Sequence, residues 1–299
     1  NSRFERRLPP VQGNSLARTA LATLFALIAF AANSILCRMA LRAGSIDPAS
    51  FTSIRFLAGA VTLCFVLLLS SRRLRLTGQW VSALVLNGYA VGFSFSYIHL
   101  TAGTGALLLF GAAQIIMIGA GFLAGERINK AIAAGWLVAI AGIVILTAPS
   151  VSSPPPLASA EMLAAGIFWG WFSLRGRGSK DPIAENAGIF VCALPIALLI
   201  NVAPIANVVT TSNGIVLAVL SGSIASGLGY AAWYTALPKL KSITAANLQL
   251  AVPALAALGG AVLFREAITL RLLLSAAMVL GGVAVATATR AKQAVSRDA

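Results

Sequence analysis

From Arg18 to Thr289 the chain is a succession of apolar runs, most of them close to twenty residues, broken by short stretches where Arg, Lys, Asp, Gly and Pro collect. None of the runs alternates apolar with polar as a barrel strand does; each is apolar all round, the pattern of a helix with little water on any side. A run of about 17 to 25 such residues crosses the hydrocarbon core of a bilayer, and in lipid the backbone must satisfy its own hydrogen bonds, which leaves helices as the spanning form. The runs predict an all-α integral membrane protein with ten transmembrane helices. They fall at Arg18–Cys37, Ser50–Ser70, Trp80–His99, a fourth from the Thr101–Gly105 turn to Gly125, Ala131–Ala148, Glu161–Leu174, Glu185–Val202, Gly214–Leu237, Ile243–Phe264 and Leu270–Thr289. The sixth, Glu161–Leu174, is the shortest.

The order of features repeats. Ser94–Ile128 and Ser221–Thr269 each carry an aromatic end, a short Thr-containing turn, a helix of small and apolar residues, and a Glu just past it. Glu126 and Glu266 lie 140 positions apart, as do the pairs Ala141-Gly142 and Gly281-Gly282. Between the copies the segment Ser150–Ser159, SVSSPPPLAS, holds three consecutive prolines and predicts a semi-rigid linker. The chain then divides into a tail at 1–17, a five-helix repeat at 18–149, the linker at 150–159, a second five-helix repeat at 160–289 and a tail at 290–299.

Seventeen of the 22 Lys and Arg fall on the side that holds both termini and five on the other, which puts the termini in the cytoplasm. An odd number of helices per copy inserts the second copy upside down. Two inverted repeats give a membrane protein halves that can exchange roles, so that a central site opens alternately to each face.

Composition narrows the function. With 59% hydrophobic and 10% charged residues, and a mean hydropathy of +0.89, the partner of this surface is the lipid bilayer. The net charge of +14 reflects topology and not nucleic acid. Cys37, Cys64 and Cys192 are scattered in apolar runs and read as small hydrophobes, not a disulfide or metal site. One histidine and no clustered acids supply neither a metal centre nor an acid/base pair, so no enzyme, metal or cofactor is expected. No GxxxxGK[ST] loop is present to couple ATP. The eight acids lie in tails, loops or near helix ends; with no carboxylate at mid-membrane, transport is facilitative or driven by a gradient other than through a buried acid. A cationic-drug exporter is the alternative, although such a site commonly uses a buried acid. A receptor or scaffold would explain the helices but not the duplication.

Arg55 within SIRFLAGA, LAGERI around Gly125-Glu126, Ala141-Gly142, the Asp47-Pro48 and Asp181-Pro182 pairs, Pro253 and Glu266 stand in the order found in one family. The chain resembles the EamA type of the drug/metabolite transporter superfamily across about Arg18–Thr289, and within it is most similar to the YddG-like amino-acid and metabolite exporters. The resemblance implies ten helices in two inverted five-helix repeats. It also implies a bacterial inner-membrane exporter of aromatic and small neutral amino acids or related metabolites, while the duplication, which makes a two-half unit in one chain, points to a monomer working by alternating access. Two positions depart from the family pattern: Ala113 stands where proline is frequent, and Arg265 where glycine precedes the second glutamate.

Tyr89, Phe93 and Tyr97, at i, i+4 and i+8, form one stripe of the third helix, and Tyr230, Trp233 and Tyr234 recur on the eighth. Aromatic rings with a few polar groups suit a site for a small amphipathic solute; the competing reading, an interfacial belt, fits Trp80, Tyr97 and Trp136. Trp169 and Trp171 divide between the same two readings. Asn33, Asn87, Gln114, Asn247 and Gln249 must face protein or water, either bonding between helices or binding solute. His99 reads as an interfacial residue or a titrating gate. Arg55 is close enough to its helix end to snorkel, and its place in the family pattern points to gating or packing, as does that of Pro253; direct contact with the solute is the alternative for Arg55. Glu126-Arg127 and Arg265-Glu266 read as local salt bridges.

Overall fold

The computed structural model describes residues 13–70, 73, 74, 76, 79–125, 129–150, 153–176, 179–200, 208–240 and 247–295. Ten long helices run in chain order: α1 Gly13–Arg42, α2 Pro48–Leu69, α3 Trp80–Ser96, α4 Ala102–Leu123, α5 Lys130–Thr147, α6 Pro156–Arg175, α7 Pro182–Ile200, α8 from Ser212 through Ala236, α9 Ala251–Phe264 and α10 Leu270–Val295. Nine of them include a span long and apolar enough to cross a membrane, and α3, at 17 residues, is a shorter tenth. Large apolar side chains such as Leu68, Leu123 and Val262 are exposed, as a lipid-facing surface requires.

The helix starts follow from local chemistry. Asp47 and Asp181 each stand before a proline and cap a helix: Ser50 N donates to Asp47 Oδ1 at 2.9 Å and Ala184 N to Asp181 Oδ1 at 3.3 Å. Thr101, Asn129 and Thr211 cap α4, α5 and α8 in the same way. The linker expectation is corrected at its end. Pro156 opens α6, since a proline needs no helical N–H in the first turn, and α6 therefore has 20 residues rather than the short Glu161–Leu174 run. Helix α3 stops at Ser96, so that Tyr97, Ile98 and His99 form the turn into α4. Helix α10 continues past Thr289 to Val295. The expected start of the ninth span at Ile243 lies outside the described residues, as do Glu126 and Arg127.

Helix α8 changes pitch. Ser212–Leu220 is α-helical, Ser221–Leu228 is π-helical, and Gly229–Ala236 returns to α. A π segment widens the turn and often marks a working part of a membrane helix. Here the residues are Ser, Gly and Ala for the most part, and close approach explains them: a Cβ at Gly222 would collide with the carbonyl oxygen of Arg55 on α2.

The helices pack across the two halves. Helix α1 packs on α8 and α9, α2 on α7 and α8, α3 on α6 and α7, α4 on α6 and α9, and α5 on α10. Exchanging each helix with its counterpart five places along returns these pairings, although the further contact of α4 with α10 is not matched by one of similar extent between α9 and α5. The α5–α10 contact is reciprocal in its glycines: a Cβ at Gly135 would stand 2.5 Å from Gly282 O, and one at Gly282 would collide with Gly135 O. At the end where α1 finishes, Ile46 and Thr210 form an antiparallel bridge that joins the loops preceding α2 and α8.

Candidate functional site

Five helices meet at a small central cavity. Phe30, Asn33 and Ser34 come from α1, Tyr89 and Phe93 from α3, Leu109 and Phe110 from α4, Trp169 from α6, and Ala225 and Tyr230 from α8. The rings are in mutual contact: Tyr89 lies 5.4 Å from Phe93 and 4.9 Å from Trp169, Trp169 lies 5.7 Å from Tyr230, and Phe30 stands edge-on to Tyr230 at 5.8 Å. Such offset and edge-on pairs are the favourable geometries for aromatic rings. The cavity volume is about 20 Å³, room for a water molecule and far below the several hundred Å³ of a solute site. This conformation is therefore contracted, and a solute enters only if the rings part.

From Asn33 and Tyr89, at the polar end of the cavity, a chain of hydrogen bonds runs behind the lining. Ser221 Oγ donates to Asn33 Oδ1 at 2.6 Å, Asn33 Nδ2 donates to the Tyr89 hydroxyl at 3.3 Å, Arg55 Nη2 donates to the same hydroxyl at 3.1 Å, and Arg55 Nε donates to Ser226 Oγ at 3.2 Å. Both serines belong to the π segment of α8, so the wider turn positions the two hydroxyls that hold Asn33 and Arg55. Arg55 does not snorkel. It is 1% exposed, and its guanidinium carbon stands 5.2 Å from the ring centroids of Tyr89 and Phe93.

A second cluster closes the bundle at the end where α1 finishes. Arg38 Nε meets Glu266 Oε1 at 3.1 Å, and Arg38 Nη1 donates to the carbonyls of Tyr97 and Ile98 at 3.0 and 2.8 Å. The other oxygen of Glu266 accepts from Ala102 N at 2.8 Å, so the carboxylate sits on the N-terminus of α4, where the helix dipole favours it. Glu266 is thus bound to Arg38 on α1, not to its neighbour Arg265. Arg265 instead takes the left-handed conformation that ends α9, with φ of 55°.

Comparison with known proteins fits these elements. The model of the EamA-like transporter family matches residues 155–288. An uncharacterized protein of Pseudomonas aeruginosa is 45% identical over 283 residues, covering 94% of this chain and 99% of that protein. An uncharacterized transporter of Clostridium kluyveri is 26% identical, covering 87% of this chain and 89% of the other. One from Archaeoglobus fulgidus is 25% identical, covering 82% and 90%. The chain belongs to the EamA-like transporter family. A solved crystal structure shares the fold of this EamA transporter, with a TM-score of 0.65 at 22% identity over 89% of this chain and 98% of the other.

The EamA transporter brings five of the sequence candidates to the cavity: Asn33, Tyr89, Phe93, Trp169 and Tyr230. Tyr97 is fully buried, edge-on to Phe93 at 4.8 Å with its hydroxyl donating to Ala102 O at 3.3 Å, so the belt reading fails for it. Gly105 admits that ring, since a Cβ there would collide with it. Trp233 backs Phe30 at 6.0 Å from behind the lining. Trp80 and Trp171 are exposed, away from the cavity.

His99 is exposed on the α3–α4 turn, Gln114 is buried within α4 outside the lining, and Asn247 is exposed and accepts from Thr287 Oγ1 at 2.9 Å. Pro253 is buried in the first turn of α9. Asn87 bonds between helices, its amide donating to Ala193 O of α7 at 3.1 Å. Among the described residues no group of His, Cys, Asp and Glu could hold a metal ion. Sequence reasoning missed Phe30, Ser34, Ser221 and Ser226. The last two stand among small residues of the eighth helix, and only the pitch change gives their hydroxyls a direction.

Proposed function

We propose that this EamA transporter moves amino acids, aromatic and small neutral, or related metabolites, by alternating access between two inverted five-helix repeats. The observation that carries the reading is the central cavity, whose aromatic wall and single polar end are built by both halves, α1, α3 and α4 from one and α6 and α8 from the other. A lining of rings with a few fixed hydrogen-bonding groups suits a small amphipathic solute. Among the described residues no carboxylate lines it, which favours this over export of cationic drugs. The pairings that survive exchange of the halves support the repeat, and the Arg38–Glu266 pair, one partner from each half, is the natural closure of one face. The transport is facilitative or gradient-driven without ATP. The protein works as a monomer in a bacterial inner membrane with both termini cytoplasmic.

Uptake of labelled phenylalanine, tryptophan and alanine into proteoliposomes, with and without a pH gradient and against empty vesicles, tests the proposal. Specific flux is expected, and it should drop at least about tenfold in Tyr89→Ala and Trp169→Ala, each of which removes ring contacts of the order of those at binding hot spots. No amino-acid flux, with flux of a cationic dye instead, would reverse the choice of substrate class.

A further inference from the structure

We infer that the cavity recognises its solute through a carboxylate, held by Arg55, Tyr89 and Tyr230, and that the solute needs no amino group; this rests on the transport reading above. The inference comes from a surplus of hydrogen-bond donors. Arg55 stands behind the lining, against Tyr89 of the wall, and is fully buried; its Nε and Nη2 are bonded to Ser226 and Tyr89, and its Nη1 has no partner. The Tyr89 oxygen already receives hydrogen bonds from Arg55 and Asn33, which leaves its own hydrogen to donate. The buried Tyr230 hydroxyl has no partner either. On the acceptor side, Asn33 Oδ1 is taken by Ser221.

The charge is equally one-sided. Among the described residues the ion pair is Arg38–Glu266, so the Arg55 guanidinium is balanced only by neutral oxygens and by the faces of Tyr89 and Phe93. A buried cation without a countercharge is costly, and leaving its N–H groups unmade adds to that cost. A carboxylate offers acceptors only and one negative charge, which answers both deficits. An ammonium would add three donors and a positive charge where both are already in excess. Apart from Ser34, the rest of the wall, with Phe30, Phe93, Leu109, Phe110 and Trp169, is apolar and takes the body of the solute. An aromatic monocarboxylate therefore satisfies the site without an amino group, and an amino group adds nothing to its binding.

The test titrates purified protein in detergent with 3-phenylpropionate, L-phenylalanine and phenethylamine, read by calorimetry and by the fluorescence of tryptophan, since Trp169 is in the wall. 3-Phenylpropionate should bind at least as tightly as L-phenylalanine, and phenethylamine at least about tenfold more weakly than either. Arg55→Gln should weaken both carboxylates by about tenfold to a hundredfold, the range for a lost charged hydrogen bond. Because Arg55→Gln removes a buried group that also holds Ser226 and Tyr89, two milder variants accompany it. Arg55→Lys should retain part of the affinity, and Tyr230→Phe should lose about threefold to tenfold for one neutral hydrogen bond.

Phenethylamine binding as tightly as the carboxylates, absence of carboxylate binding, or carboxylate affinity unmoved in all three variants would each overturn the inference. The two readings fail separately. Carboxylate binding that depends on Arg55 without any flux in proteoliposomes keeps the anion site and removes the transport reading. Flux that carries amines and carboxylates alike does the reverse.

Discussion

At one end of the bundle Arg38 of α1 meets Glu266, just past α9, at 3.1 Å, and the pair also gathers the carbonyls of Tyr97 and Ile98 and the first N–H of α4. At the other end Arg175, the last residue of α6, reaches Ser82 Oγ of α3 at 3.1 Å, beside a polar cleft of about 30 Å³ lined by Gln79, Glu185, Asn186 and Tyr234 among others. Both arrangements join one half to the other through an arginine. They differ in what receives it. The Arg38 guanidinium has a carboxylate nearly out of water, with the two side chains 10% and 9% exposed, whereas among the described residues Arg175 has a neutral hydroxyl. A desolvated charge pair is weak as an argument for stability, but removing one partner leaves the other charge buried and unpaired, which costs several kcal/mol. A bond to a hydroxyl is worth about 1 kcal/mol. The end held by Arg38 is therefore the one more sensitive to the loss of a single partner.

The largest effect follows from breaking that pair. Glu266→Gln should raise the free energy of the closed Arg38 end by about 3 kcal/mol. Cys37, one residue before Arg38 and 0% exposed, is a native reporter of the change. With Cys64 and Cys192 replaced by serine, its labelling by a water-soluble maleimide should rise at least about tenfold, the effect of some 1.4 kcal/mol or more on the opening equilibrium. Pairing Glu266→Gln with Arg38→Gln should label less than the single variant, because no lone charge remains. Labelling indifferent to both would mean that the ion pair does not close this end.

The next effect lies in the backbone beside Glu266. Arg265 holds φ of 55° where the corresponding turn after α4 has Gly125 at 79°. A side chain in the left-handed region costs about 1 kcal/mol or more relative to glycine, and Arg265 is exposed. Arg265→Gly should accordingly stabilise the protein by about 1 kcal/mol in thermal or denaturant unfolding, with Cys37 labelling unchanged. A loss of stability would show that the Arg265 side chain contributes something its exposure does not suggest.

Much of the architecture was legible from the chain because bilayer physics permits few forms. Apolar runs of the right length located the helices but not their starts: the Asp47-Pro48 and Asp181-Pro182 pairs open α2 and α7 ahead of the expected Ser50 and Glu185. The stripe Tyr89, Phe93 and Tyr97 was legible from its spacing, and its rings do touch in sequence along α3. What stayed hidden were contacts between residues far apart in the chain. Glu266 looked like the partner of Arg265, yet left-handed geometry turns Arg265 outward and the carboxylate reaches Arg38, 228 positions away. Arg55 looked able to snorkel because its depth in the helix was visible and its neighbours were not. The pitch change in α8 leaves no hydrophobic signature, so Ser221 and Ser226 read only as small residues.

The smallest effect belongs to the other end, and it separates the two faces most sharply. Arg175 is tied to Ser82 by a single bond to a neutral, part-buried acceptor, so Arg175→Ala should cost about 1 kcal/mol or less. Ile189, 7% exposed, lines the adjoining cleft, and Ile189→Cys in the cysteine-reduced background reports on that end alone. Its labelling should rise about twofold to fivefold in Arg175→Ala, in keeping with the loss of one such bond, while Cys37 labelling stays level or falls. A fall is the more telling result. If the two ends are alternately closed halves of one cycle, easing the Arg175 end draws population away from any state open at the Arg38 end, since a two-state equilibrium can favour one side only at the expense of the other. Independent changes at the two reporters would mean that the ends breathe separately, and the exchange symmetry of the helix pairings would then describe packing without describing a transport cycle.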